Sequence, residues 1–283
     1  MATLPQENRA EQRYKEIIQW EKQLAGNKKA YTRMFDKSLE KVLHTFPYKQ
    51  RKYLLNVTDR FLFYAQSFIL HSRFHEEAER RIILEARIFD EDITSIHDLK
   101  KLTAAQLQFI HSQLMAKQRI LSLGQGGMTG MGGLILNMSD LPAVLLLNLR
   151  TVQISALCYG YDLRNPSEMM IALKVFHGAS LPKNMQKEAW IKLEQEAAQK
   201  EQEFPWFYEG EEEIIDTDWL QQLFRQVSKL IVLKILRKKL IQGVPLIGIV
   251  TGAACNYQLT KQISEWAGFF YEKRYLIENI KSE

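Results

Sequence analysis

His71 and His75 have the spacing to do chemistry: four residues apart, they would share one face of a helix, with Glu76 and Glu79 close behind. Two imidazoles and a carboxylate can hold zinc or iron. The order is not His-Glu-x-x-His, because the acid follows the second histidine, and histidines among charges more often belong to a solvated helix face. The other histidines, His44, His97, His111 and His177, form no group in sequence. Gly124-Gln-Gly126-Gly127-Met-Thr-Gly130 invites a phosphate-loop reading, but it lacks the Lys-Ser/Thr ending and no strand leads into it. No serine stands in a Gly-x-Ser-x-Gly elbow, and neither Cys158 nor Cys255 has a histidine beside it. Residue types and spacing therefore lead us to expect no catalytic residue, cofactor or metal.

The elements around these residues are more informative. Between Arg119 and Arg150 the only formal charge is Asp140, and six glycines open that stretch: Gly124, Gly126, Gly127, Gly130, Gly132 and Gly133. Between Lys239 and Lys261 there is no charge, and Gly243, Gly248 and Gly252 punctuate an aliphatic run. Gly126/Gly130 and Gly248/Gly252 are both Gly-x-x-x-Gly pairs, the second continued at Asn256. Such stripes let helices pack closely or sit at a membrane surface. Each glycine inside a helix costs about 1 kcal/mol against alanine, so a loop or a broken helix is expected over 124–133. A bilayer-spanning helix needs about 20 apolar residues. The run 141–149 is broken by Asn148, and 243–255 covers only thirteen residues. A buried hairpin or a surface-lying element is expected before a crossing.

Apolar residues make up 46% and charged ones 25% of the 283 residues, which is the balance of a folded globular chain. The net charge of +5 matters less than its distribution. Residues 225–239 carry six basic side chains (Arg225, Lys229, Lys234, Arg237, Lys238, Lys239) and no acid. Residues 194–218 hold ten acids against the single Lys200, and read as a solvated insertion or loop. A basic block ahead of an apolar segment suits an anionic membrane surface. No aromatic residues interleave with it in the manner of a nucleic-acid site, and no nucleic-acid partner is expected. Met1 to Glu16 show no secretory signal, two cysteines make no disulfide scaffold, and a cytoplasmic protein is expected.

The periodicity is helical nearly throughout. Ile17, Trp20 and Leu24 recur at helical spacing, as do Phe35, Leu39, Val42, Leu43 and Phe46, and 54–70 forms a long apolar candidate. Thr103-Ala-Ala-Gln106 reads as a capping box opening a helix that ends at Gly124. Ser139, Asp140 and Pro142 open another, which runs to Tyr159 and stops at Gly160. Asn165-Pro166-Ser167-Glu168 starts the next, with Gly178 as its end. Asp140 suits the positive end of its own helix, while Arg150, about 15 Å further along, needs a partner elsewhere. Thr151-Val-Gln-Ile-Ser155 is echoed by Thr260-Lys-Gln-Ile-Ser264. The expected fold is an all-α bundle: an N-terminal helical extension over 1–50 and a helical domain over 51–283, with the two glycine-rich elements central or at a membrane surface.

Gly-Gly-Leu-Ile-Leu-Asn-Met-Ser-Asp140-Leu-Pro142, then Arg150, then Tyr159-Gly160-Tyr-Asp162, resembles the signature of the EcsC family. So does Gly243-Val-Pro245-Leu-Ile-Gly248 with Gly252, Asn256, Thr260, Ala267 and Tyr271-Glu-Lys-Arg274. The resemblance spans about 54–274 and has no counterpart for the acidic stretch. It implies a bacterial protein encoded beside the ATPase and membrane subunits of an ABC transport system linked to protein secretion. No catalytic residues come with it. The expectation is a non-enzymatic accessory at the inner face of the cell membrane, with the transporter's ATPase and membrane subunits and an anionic membrane surface as partners. The alternative is a lipid- or peptide-acting hydrolase with its pocket at the glycine-rich tract.

Overall fold

The computed structural model describes residues 6–24, 73–131, 140–181, 183–200 and 245–282. They form seven α-helices: α1 (Gln6–Gln23), α2 (Arg73–Ala86), α3 (Ala104–Met131), α4 (Asp140–Cys158), α5 (Pro166–Ser180), α6 (Lys183–Lys200) and α7 (Pro245–Ser282). A short 3-10 helix (His97–Lys101) precedes α3, and there is no strand among the described residues. The all-α expectation holds. The acidic stretch 194–218 begins inside α6, so residues 194–200 are packed helix and not the solvated insertion or loop expected there. Its remainder, the helical candidates at 35–46 and 54–70 and the basic block 225–239 lie outside the described residues.

Local chemistry sets the helix ends. At the start of α3 the Thr103 N–H donates to Gln106 Oε1 at 2.8 Å, and Gln106 N–H returns to Thr103 Oγ1 at 3.4 Å. This is the capping box read from sequence. The Asn165 side chain accepts from Ser167 N–H at 3.0 Å at the start of α5, where Pro166 occupies the first turn. After α4, Tyr161 N–H reaches Ala156 O and Gly160 N–H reaches Leu157 O at 3.1 and 3.0 Å. Gly160 adopts φ +81°, the left-handed position that such a helix stop requires.

Two helix ends differ from expectation. α3 continues through Gly124, Gly126, Gly127 and Gly130 to Met131, so the loop or broken helix expected there is corrected. Glycine weakens a helix without blocking its backbone bonds, and elongation adds one bond per residue once a helix exists. α5 passes through Gly178 to Ser180. That glycine is a packing position, since a Cβ there would lie 2.8 Å from the Trp266 ring.

α7 is the axis of the bundle. Ile263, Trp266, Ala267, Phe270, Tyr271, Tyr275 and Leu276 are all buried, on every side of the helix, as befits an element enclosed by others. α3 instead shows one stripe, Leu107, Ile110, His111, Leu114, Met115 and Gln118, at three- and four-residue spacing. Around α7 the rings of Trp20, Trp190, Trp266 and Phe270 interlock, with Trp190 and Trp266 edge to face at 4.8 Å. Ile17 and Leu24 of the N-terminal segment join this same core.

α3 and α7 run antiparallel. The Tyr275 hydroxyl donates to Leu102 O, Gly268 faces His111, and Arg119 Nε donates to Ser264 Oγ at 3.0 Å. The glycine-rich end of α3 thus lies alongside the uncharged start of α7. α4 ends with the Tyr159 ring 5.6 Å from His111 and 6.5 Å from Tyr275, so it too is antiparallel to α3, and its start lies at the same end. Three segments separated in sequence share one end of the bundle. No helix of the described residues is long and apolar enough to cross a membrane.

The sequence echo has a structural counterpart. Thr151, Ile154 and Ser155 on α4, and Thr260, Ile263 and Ser264 on α7, are all buried. Ser155 meets His111 Nε2 at 3.0 Å and Ser264 accepts from Arg119, both on α3. Each serine donates back to its own helix, to Thr151 O and to Lys261 O, at 2.9 Å.

Candidate functional site

The end of the bundle opposite the uncharged segments holds its densest charge chemistry. Tyr161 follows the Gly160 turn and is buried, with its hydroxyl donating to Glu278 at 2.9 Å. The Arg274 guanidinium lies 4.2 Å from the centre of the Tyr161 ring and grips Glu168 of α5 through two bonds of 2.7 and 2.8 Å. Lys100 donates to Glu278 at 2.8 Å and stands 5.1 Å from the same ring. Asp162 is held below the usual carboxylate range: burial opposes this, but Arg164 and the Arg164 backbone N–H prevail. The Arg274 guanidinium thus meets Tyr161, directly after the Gly160 turn, whereas the Tyr159 ring turns to His111 and Tyr275.

Glu272, Lys273 and Arg274 are consecutive, so their side chains leave α7 about 100° apart. Each meets a different neighbour. Glu272 accepts two bonds from Arg13 of α1, at 2.6 and 2.9 Å. Lys273 pairs with Glu21 of α1 and Glu194 of α6. Arg274 turns to α5. Burial lifts the Glu272 carboxyl above its ordinary range even with Arg13 drawing it down. Burial works against the Lys273 ammonium, yet its two carboxylates raise it. These pairs fix how α1, α5 and α6 seat on the axis, because a misplaced helix would leave a charge buried and uncompensated.

Between the two ends lies a buried polar group that sequence spacing did not reveal: His111, Ser155, Tyr159, Glu272 and Arg13. A Ser–His contact raises the question of nucleophilic chemistry. Ser155 Oγ has one proton and sits 2.9 Å from Thr151 O, which can only accept. With the Ser155 O–H donated to Thr151 O, His111 Nε2 is the donor to Ser155 Oγ, the reverse of a general base. Burial holds the His111 imidazole down at about 3. The Tyr159 hydroxyl lies beside Glu272, and burial raises it well above its ordinary range. The hint in sequence was position: His111 falls on the apolar stripe of α3. Likewise, three successive charges within the apolar run 263–276 had to face the core somewhere.

The remaining expected positions are dispersed. His75 is buried, and burial lowers its imidazole despite Glu79 nearby; His71 lies outside the described residues. No group of three or more His, Cys, Asp or Glu that could hold a metal occurs among the described residues. Arg150 is on α4 with Glu77 and Arg81 in its electrostatic surroundings, and burial lowers it. Asp140 is the first residue of α4 and Pro142 lies in its first turn. Gly126 and Gly130 lie on α3 and Gly248 and Gly252 on α7, whereas Gly132 is outside the described residues. Thr260 is fully buried and Asn256 half-buried. Cys158 is a buried free thiol, pushed up by burial.

Comparison with known proteins agrees with the signature. The chain is 26% identical over 274 residues to the uncharacterized protein YdbA of Bacillus subtilis (strain 168), covering 95% of this chain and 94% of that one. It is 24% identical over 186 residues to Protein EcsC of the same organism, covering 66% and 71% of the two chains. No solved structure matches significantly. The EcsC protein family model matches residues 11–276, nearly the whole chain, and the protein belongs to that family.

Proposed function

We propose that the protein is a non-enzymatic accessory of an ABC export system, held peripherally at the cytoplasmic face of the cell membrane. The observation that carries the membrane part is the gathering at one end of the bundle of the glycine-rich end of α3, the aliphatic start of α4 and the start of α7, with Asp140 the single formal charge among them. Their order in the chain is scattered, so no simple apolar run accounts for it. Each large aliphatic side chain moved out of water contributes about 1.5–3 kcal/mol. Each basic residue near an anionic surface adds about 1 kcal/mol. The six basic residues in 225–239 would then supply several kcal/mol, enough for reversible binding. The His111–Ser155 geometry supports a structural use of the buried polar group.

The transporter part is supported by membership of the EcsC family and the neighbourhood that the sequence resemblance implies. The ATPase and membrane subunits of the exporter would be the partners. A tagged full-length chain recovered from gently solubilised membranes should bring an ABC ATPase or its membrane subunit with it. An eluate lacking both, from membranes that contain the transporter, removes the accessory role.

A further inference from the structure

Gln118 on α3, Asn148 on α4 and Thr260 on α7 are buried polar residues, 5%, 1% and 0% exposed. Among the described residues, Gln118 Oε1, Asn148 Oδ1 and Thr260 Oγ1 have no hydrogen-bond partner. Polar atoms shut away from water carry the cost of their lost hydration until something bonds them. Nearby hydroxyls avoid that cost within their own helices. Thr151 donates to Leu147 O at 2.8 Å, and Ser155 and Ser264 donate to Thr151 O and Lys261 O at 2.9 Å. Thr260 does not. The Asn148 amide is oriented by its Nδ2, which donates to Val144 O at 2.8 Å and leaves Oδ1 as the unclaimed atom.

The helix register sets these three residues at one level. His111 of α3 meets Ser155 of α4 at 3.0 Å and lies against Gly268 of α7. Both neighbours are antiparallel to α3. Two turns on from His111, about 10 Å, Gln118 is therefore level with Asn148 and with the Thr260–Lys261 step. Seven residues also restore a side chain's direction to within about 20°. Asn148 thus faces α3 as Ser155 does, and Gln118 faces inward as His111 does. The parallel pair α4 and α7 gives an independent measure. Tyr271 lies 5.4 Å from Tyr161, and eleven positions back from each stand Thr260 and Arg150. The two routes agree to within two residues, about 3 Å of helix rise.

Amide oxygens only accept, and a hydroxyl carries one proton, so these three atoms cannot satisfy one another. A molecule that accepts once and donates twice completes the set, and three hydrogen bonds are the usual number for an internal water. A cation suits the place less well. The three oxygens are neutral, and Arg119, which reaches Ser264 at 3.0 Å on the same helix pair, opposes further positive charge. The geometry points to a buried water site at the junction of α3, α4 and α7. One water accepts from the Thr260 hydroxyl and donates to Gln118 Oε1 and Asn148 Oδ1. It ties the three helices together just before α3 enters its glycine-rich end.

Urea denaturation of the full chain tests the site by the sign of one substitution. If the Thr260 hydroxyl had no partner, Thr260→Val would raise the midpoint, because valine keeps the shape and removes the orphan. With water bound, Thr260→Val should lower the midpoint and Thr260→Ser should stay closer to wild type. Asn148→Leu should lower it too, and the double variant should lose less than the sum, since both act through one molecule. A Thr260→Val midpoint equal to or above wild type overturns the site. The wild-type midpoint should be the same in sodium, potassium and choline chloride at equal ionic strength. A fall in choline would make the occupant a metal cation and overturn the assignment to water. A crystal structure of the full chain checks the geometry whatever the variants do. An ordered water within about 3.2 Å of all three oxygens supports the site, and direct contact among the side chains with no water between them overturns it.

Discussion

Gly268 of α7 lies against the His111 ring of α3 so closely that a Cβ at position 268 would sit 2.5 Å from His111 Cε1. The ring cannot retreat freely, because its Nε2 is held 3.0 Å from Ser155 in the buried polar group. Gly268→Ala is therefore expected to destabilise the protein by about 1–3 kcal/mol, the range for overpacked cores. Gly124→Ala, on the same helix pair but facing open space, should stabilise it by about 0.5–1 kcal/mol through helix propensity. Urea denaturation of the two variants checks the opposite signs. Equal effects would contradict the assignment of Gly268 as the close-approach position.

Arg13 offers a different test. Its loss leaves Glu272, whose side chain is 2% exposed, as a buried charge without its guanidinium. Arg13→Ala should destabilise by about 3 kcal/mol, and adding Glu272→Gln should recover part of that loss by removing the stranded charge. Denaturation of the two single variants and the double variant gives the coupling. An additive double variant would separate α1 from the axis of the bundle.

Acid should weaken the fold through its buried imidazoles. His111 is held down at about 3, and His75 is also lowered, both chiefly by burial. In the unfolded chain each titrates near ~6.5. Below that point the unfolded state binds more protons, so stability is complete above about pH 7 and falls as pH drops through 6.5 toward 3 for His111. One such proton gives a slope of about 1.4 kcal/mol per pH unit. Denaturation series between pH 7.5 and 5, in the wild type and His111→Gln, should show a shallower slope in the variant. An identical slope would put the imidazole in water.

Much of the architecture was legible because its signals are local. The Thr103/Gln106 box, the Asn165-Pro166 start and the Gly160 stop each depend on neighbouring residues, and each formed where expected. Gly124 and Gly178 misled as helix ends, because a glycine with negative φ neither breaks a helix nor announces what packs on it. The pairing of Arg13 with Glu272 spans 259 positions, and that of Arg274 with Glu168 spans 106. No periodicity within one helix encodes such partners. The shared end of the uncharged segments was hidden for the same reason: it follows from the antiparallel course of α3 and α7, which only contacts such as Arg119–Ser264 reveal.

Peripheral attachment is tested most directly by fractionating cells that express the full chain, with successive low-salt, high-salt and alkaline carbonate washes of the membranes. The chain should sediment with membranes at low salt and leave them at high salt or in carbonate, as binding by several basic and aliphatic residues without a crossing helix requires. Recovery wholly in the soluble fraction at low salt, or retention through carbonate, would contradict it.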